Sequence, residues 1–248
     1  MRLLLDLGNS RLKWCWHDGR RRLGQGAVAL AELATGAPPS AWVGLPAPDR
    51  VLVVSVGAPS RLDTLSEQIR TLWGRDLERL QTPKVGGGIR CAYPDPSRLG
   101  TDRWVAMVAA RRLGALPAMV VDCGTAITLD WVDIGGCHRG GVIAAGVKTQ
   151  IDALGSRAPG LSAATSAAEP TLFATDTPAA IAGGAVIGTA SMIDGLVRRM
   201  EAARGAAAVR WLAGGDGPLL HAHLGAGAFR LHPDLVLDGL AFLAEGDA

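Results

Sequence analysis

The chain has 248 residues, 48% of them hydrophobic and 19% charged, with a formal net charge of +2 at pH 7. That length accommodates one large domain or two modest lobes, and a charge so close to balance excludes the basic excess of a nucleic-acid binder. Four cysteines, Cys15, Cys91, Cys123 and Cys137, show neither CxxC spacing nor the density of a disulfide scaffold, which points to free thiols in a reducing, cytoplasmic setting.

In chain order, the first predicted element is a strand over 2–7, where a run of leucines is cut by Asp6 too early to form the core of a secretory signal. A second strand is expected at 11–16 and a third at 51–56. The segment SRLDTLSEQIRTLW then places Leu62, Leu65, Ile69 and Leu72 on one helical face, with Ser60 as the cap. KVGGGIR, residues 84–90, reads as a flexible turn leading to Tyr93, the only tyrosine. A helix beginning at Thr101 would bury Trp104, Val105, Val108 and Leu113 on one side and stop at Gly114 and Pro117.

Strands follow at 117–122 and 126–132. Residues 178–193, PAAIAGGAVIGTASMI, carry no charge and hold Gly184 and Gly188 at GxxxG spacing. The stretch is shorter than the roughly 20 residues a bilayer requires and is rich in small side chains, so no membrane span is expected. It reads as a closely packed core helix with Thr177 as cap and Pro178 in its first turn, running to about Ala203. A strand at 208–213 and a final helix near 234–243 complete the chain. This alternation predicts an α/β protein with mixed sheets flanked by helices.

One pattern occurs twice. LLLDLGNSRLKW and VVDCGTAITLD both run from a buried strand into an acid, a glycine and hydroxyls. Laid over one another, Asp6, Gly8, Asn9 and Ser10 fall on Asp122, Gly124, Thr125 and Ala126, with the two acids 116 residues apart, close to half the chain. Two similar lobes are expected, 1–114 and 115–248, with the last helix packing back on the first. In each copy, strand, Gly-containing turn and second strand make a hairpin whose amides and hydroxyls suit phosphate oxygens. The Asp at the strand end would hold a cation, or a water bound to one. The plainer alternative is a pair of ordinary hairpins whose Asp side chains satisfy turn amides.

Paired hairpins of this kind resemble the phosphate motifs of the superfamily containing actin, the heat-shock ATPases and the sugar and acetate kinases, and hence two lobes of the ribonuclease H-like type. More narrowly, DLGNSRLK, GTDR at 100–103, DCGTAIT, GGVIAAG and LAGGDG together resemble type III pantothenate kinase, some of whose members are labelled Bvg accessory factors, across nearly the whole chain. The resemblance implies ATP-dependent phosphorylation of pantothenate to 4'-phosphopantothenate, the first step of coenzyme A synthesis.

It also implies roles. Asp6, Leu7, Gly8, Asn9, Ser10, Arg11, Leu12 and Lys13 resemble the family's ATP phosphate loop, with Asp6 near magnesium and Lys13 near the phosphates. Thr125 would be the matching ATP contact, and Asp122 the ligand of an activating monovalent cation, potassium or ammonium. Tyr93, Gly100, Thr101, Asp102, Arg103 and Thr177 resemble the pantothenate site, Asp102 being the general base. The family completes that site across a dimer interface, which implies a homodimer. Independently, an acid in the first turn of the helix that starts at Thr101 is favoured in its ionised form by the helix dipole, and Arg103 beside it suits a carboxylate. The plain alternatives are a helix-start acid and a solvated arginine.

His221 and His223 lie two apart and Cys137 adjoins His138, neither a zinc spacing, and no Walker sequence occurs. Two positions depart from the family pattern. Ser10 stands where threonine is usual and keeps the hydroxyl. Ala145 replaces a proline beside Gly146, which is expected to loosen that turn. With few aromatic residues, adenine is expected against backbone and aliphatic surfaces around Gly214 and Gly215. Two rival functions remain: another small-molecule kinase of the superfamily, and a nucleotide-binding regulator without kinase activity.

Overall fold

A computed structural model describes residues 1–114, 116–161, 168–225 and 227–246. Ala115 and Ala248, the expected limits of the second lobe, lie outside the described residues. The chain divides into two compact units, one comprising Met1–Leu113 with the segment from Leu235 onward, the other Gly114–Asp234.

The first unit holds β1 (Arg2–Leu7), β2 (Arg11–His17), β3 (Arg22–Ala29), α1 (Leu30–Leu33), β4 (Arg50–Ser55), α2 (Pro59–Trp73), β5 (Leu77–Arg79), the small hairpin β6 (Val85–Gly86) and β7 (Ile89–Arg90), and α3 (Thr101–Arg112). The second holds β8 (Ala118–Cys123), β9 (Ala126–Val132), β10 (His138–Ala145), α4 (Val147–Arg157), α5 (Thr177–Arg204), β11 (Val209–Ala213), α6 (Gly217–His221) and β12 (Phe229–Leu231). The last helix, α7 (Leu235–Glu245), belongs to the first unit.

Each unit is built on a five-stranded sheet, and the two strand orders match: β3-β2-β1-β4-β5 and β10-β9-β8-β11-β12. In both, the first three strands run antiparallel and the last two join in parallel. The halves are therefore one architecture twice, of the actin-like ATPase type. The middle strand of the first sheet is covered on both faces, as an uninterrupted apolar run requires: Leu3, Leu4 and Leu5 are all fully buried. Its core gathers tryptophans. Trp42 meets Trp14 edge-on at 6.4 Å between ring centroids, an arrangement that favours the ring quadrupoles, and packs tilted against Trp73 at 5.8 Å.

Several expectations need correction. α2 starts at Pro59 after Ala58, so Ser60 lies in its first turn and caps nothing. α3 is not one-sided: Arg103 through Ala110 are all buried, whereas Leu113 is exposed. Packing of α7 against it explains this, since Gly239 comes so close that a Cβ there would stand 2.2 Å from the Val105 carbonyl. KVGGGIR forms an ordered hairpin, with Gly87 and Gly88 at φ +56° and +77° in a tight turn joining β6 to β7. The cap of α5 is Asp176, whose Oδ1 accepts from the Ala179 amide at 2.8 Å, with Thr177 and Pro178 inside the first turn.

α5 is long and apolar enough to cross a membrane, yet Val186, Ile193 and Val197 are buried in the core of its own unit. The closely packed glycine is Gly183, where a Cβ would lie 2.1 Å from the Thr171 carbonyl; Gly184 and Gly188 face open space.

Candidate active site

Each repeated motif forms a hairpin turn. In the first, Asp6 pairs with Lys13 and Leu7 with Leu12 across β1 and β2, and the Gly8 amide closes the turn on the Arg11 carbonyl at 3.1 Å. Directly opposed side chains of an antiparallel pair share a face, so the acid and the lysine stand together beside the turn. Leu12 is buried, while Asn9, Ser10 and Arg11 are exposed at the tip. Arg61 on α2 donates from Nη1 to the Asn9 carbonyl at 3.1 Å, a support for the tip that the sequence pattern did not single out.

In the second hairpin, Cys123 pairs with Ile127 across β8 and β9, and the Gly124 amide closes on Ala126 at 3.0 Å. This turn is one residue shorter, so the expected pairing of Ser10 with Ala126 shifts. The Ser10 carbonyl accepts from Leu30, just after β3, and the Thr125 carbonyl accepts from Gly146, just after β10. Ser10 and Thr125, the two hydroxyl residues, are thus equivalent.

Two motif glycines hold the second turn from below. A Cβ on Gly146 would lie 1.9 Å from the Gly124 carbonyl, and one on Gly214 would lie 2.2 Å from the Cys123 carbonyl and 2.5 Å from Asp122 Oδ1. This explains why GGVIAAG and LAGGDG end or turn on glycine. Ala145 pairs with Ala126, and its carbonyl accepts from Gln150 Nε2 at 2.9 Å. Burial, followed by the neighbouring carboxylates of Asp122 and Asp216, pushes the Cys123 thiol far above its ordinary range. Asp216, whose amide donates to the Cys123 carbonyl at 3.0 Å, is thereby a second acid beside Asp122 that the sequence pattern did not single out.

In the first unit the GTDR segment opens α3. Gly100 precedes the helix, and a Cβ on it would stand 2.6 Å from Asp102 Oδ1, so glycine leaves the space that the carboxylate occupies. Asp102 Oδ1 also accepts from the Arg103 amide at 2.8 Å. Arg103 is only 7% exposed and donates from Nη1 to the Tyr93 hydroxyl at 3.3 Å, so it is not a solvated surface cation. Tyr93 is placed in turn by Lys84, whose Nζ donates to its carbonyl at 2.8 Å.

This cluster adjoins the turn of the first hairpin. The Val56 amide donates to the Leu7 carbonyl at 3.4 Å, and the same Val56 side chain lies 3.6 Å from the Gly100 Cβ position. A Cβ on Gly57 would lie 3.4 Å from the Gly8 carbonyl. Gly8, Gly100, Asp102, Arg103 and Tyr93 are therefore brought together past the carboxyl ends of β1 and β4, where open α/β sheets hold ligands. Thr101 is half-buried in the first turn of α3. Thr177 belongs to the second unit and is exposed at the start of α5.

The carboxylates fit a hard cation held through few protein ligands. Asp6 and Asp122 each sit at a strand end beside a turn, and among the described residues no three or more His, Cys, Asp or Glu gather into a closed cage.

The sequence model of type III pantothenate kinase matches residues 2–199. A type III pantothenate kinase of Alkalilimnicola ehrlichii is 41% identical over 244 residues, covering 98% of this chain and 97% of that one. One from Nitrosococcus oceani is 36% identical, covering 99% and 94%. Among solved structures, a Baf family protein of Campylobacter jejuni superposes with a TM-score of 0.61 at 19% identity, covering 99% of this chain and 98% of that one. The activator of 2-hydroxyisocaproyl-CoA dehydratase from Clostridium difficile, with bound ADPNP, does so with a TM-score of 0.52 at 12% identity, covering 99% and 94%. The structural likenesses speak to fold alone, and the sequence matches settle the lineage: the chain belongs to the type III pantothenate kinase family.

Proposed function

We propose that the protein transfers the terminal phosphoryl group of ATP to the hydroxyl of pantothenate, giving 4'-phosphopantothenate and ADP, the first step of coenzyme A synthesis. The observation that carries this reading is the junction of Tyr93, Asp102 and Arg103 with the Gly8 turn in one cluster, which puts an anion-binding group and a carboxylate next to a phosphate-type loop.

Arg103 meets the carboxylate of pantothenate, and Tyr93 fixes the guanidinium by its hydroxyl. Thr101 and Gly100 line the same stretch, and Thr177 supplies a further substrate contact in a homodimer. The turn from Asp6 to Lys13 and the hydroxyl of Thr125 take the phosphates of ATP. Asp102 orients the substrate hydroxyl. Its oxygen bonds to the γ-phosphorus while the bond from that phosphorus to the ADP oxygen breaks, and the hydroxyl proton passes to Asp102 late, as expected of a loose transition state. Asp6 holds magnesium, which when bound neutralises charge on the polyphosphate, and Asp122 holds a monovalent cation, potassium or ammonium. Four free cysteines, three of them buried, support a reducing cytoplasmic setting.

The test is a coupled assay of ADP release with purified protein, ATP, magnesium and pantothenate, in potassium and in sodium. Turnover that requires pantothenate supports the reading. Absence of turnover in every salt overturns it and favours a nucleotide-binding regulator.

A further inference from the structure

One feature of the first unit lies apart from every residue discussed above as a substrate or nucleotide contact. A cavity of about 470 Å³ opens at the carboxyl end of α3, lined by Gly87, Gly88, Val108, Arg111, Arg112 and Phe242 among others. That volume is within the range of roughly 300–1,000 Å³ usual for small-molecule sites. None of the phosphate hairpin, and none of the Tyr93–Arg103 cluster, lines it.

Its chemistry is cationic and apolar together. Arg111 is half-buried and Arg112 exposed, and among the described residues neither makes an ion pair or a side-chain hydrogen bond. The Arg112 guanidinium stands 5.5 Å from the centroid of Phe242, a cation–π distance that holds it over the ring. The helix C-terminus favours basic residues here, and among the described residues these two adjacent like charges have no carboxylate partner.

The wall opposite them is kept low by glycine. A Cβ on Gly88 would lie 2.3 Å from Arg111 Nε, and one on Gly87 would lie 2.5 Å from Val108 Cγ2. Their positive φ values place the turn of the β6–β7 hairpin directly against α3. The hairpin is fixed there by Trp104, whose Nε1 donates to the Gly86 carbonyl at 3.3 Å. The walls are thus set by packed elements rather than by a free loop.

We infer that this cavity is a second ligand site, for a small oxyanion carrying an aryl group: the oxyanion is taken by the forked guanidiniums of Arg111 and Arg112, and the aryl group lies against Phe242 and Leu243. Planar forks suit a phosphate or carboxylate with two oxygens presented, and the half-exposed ring offers the apolar face that an inorganic ion would not use.

The test is calorimetric titration of the full chain with phenyl phosphate, inorganic phosphate and phenol, each with and without saturating ADP. One equivalent of phenyl phosphate is expected to bind whether or not ADP is present, with phosphate and phenol each about tenfold weaker or more, the loss expected when either the ring or the charge-assisted bonds are removed. The double variant Arg111→Gln, Arg112→Gln is expected to weaken phenyl phosphate by about tenfold or more, with an unchanged thermal midpoint showing that it folds. Affinity no better than that of phosphate or phenol, or binding indifferent to the double variant, would each overturn the assignment.

Discussion

The Cα of Gly146 lies so close to the Gly124 carbonyl that a methyl group on it would stand 1.9 Å from that oxygen. The turn of the second hairpin therefore rests directly on the backbone that follows β10. Gly146→Ala must push Gly124 and Thr125 out of place. We expect a loss of about 1–3 kcal/mol in urea unfolding, and a KM for ATP raised more than that for pantothenate. Equal effects on both substrates would speak against a role of this turn in nucleotide binding.

Asp102→Asn keeps an oxygen to accept from the Arg103 amide, so the start of α3 is preserved. It removes the proposed proton acceptor. The kcat is expected to fall about 100- to 10,000-fold with an unchanged thermal midpoint.

Tyr93→Phe deletes the hydroxyl that receives Arg103 Nη1 and leaves the ring. With one hydrogen bond to a charged group lost, the KM for pantothenate is expected to rise about tenfold, with kcat little changed. A matching rise in the KM for ATP would place Tyr93 elsewhere in the mechanism.

Glu201 and Arg210 form a largely buried pair in the second unit at 2.8 Å, with side chains 14% and 17% exposed. The hydrogen bonds from Arg210 hold the Glu201 carboxyl below its ordinary value. A pKa depressed on folding stabilises above the unfolded value, about 4.3, and that contribution is lost as pH falls through the folded value. Glu201→Gln is therefore expected to cost about 1.5–3 kcal/mol at pH 7, and the difference from wild type should shrink as the pH drops below about 4. Denaturant midpoints measured across that range decide the matter.

Thiol reactivity should follow burial. Cys15, Cys91 and Cys123 are 1%, 2% and 0% exposed, whereas Cys137 is partly open. Burial and two carboxylates further suppress the Cys123 thiolate. A disulfide reagent is expected to titrate one thiol in the native protein and four after denaturation.

Much of the strand framework was legible because β1, β4, β8 and β9 are runs of Leu, Val and Ile. β3 and β10 were not, for they are edge strands rich in Gly and Ala, with only two larger aliphatic residues each and few buried side chains, carrying no alternation of apolar residues. Adjacent candidates also defeated the pattern at α5, where both Asp176 and Thr177 are capping types and only the bond to Ala179 decides between them. The acids, glycines and hydroxyls of both hairpins were visible as a repeat. Their true equivalence, Ser10 with Thr125, was hidden by one extra residue in the first turn, which only the pairing of Leu7 with Leu12 and Cys123 with Ile127 exposes. Asp216 and Arg61 went unnoticed because each reaches its hairpin through space and not through the repeat.

The return of α7 to the first unit sets an order on biosynthesis. The second unit is one unbroken stretch of chain and has all its strands and helices once β12 has left the ribosome. The first unit starts earlier yet must wait, since α3, with the proposed base at its head, lies partly uncovered until Leu235, Leu237, Leu240 and Ala241 emerge to bury themselves. A nascent chain stalled before that helix would carry every proposed site residue on an unfinished support, an apolar flank open to chaperones and proteases.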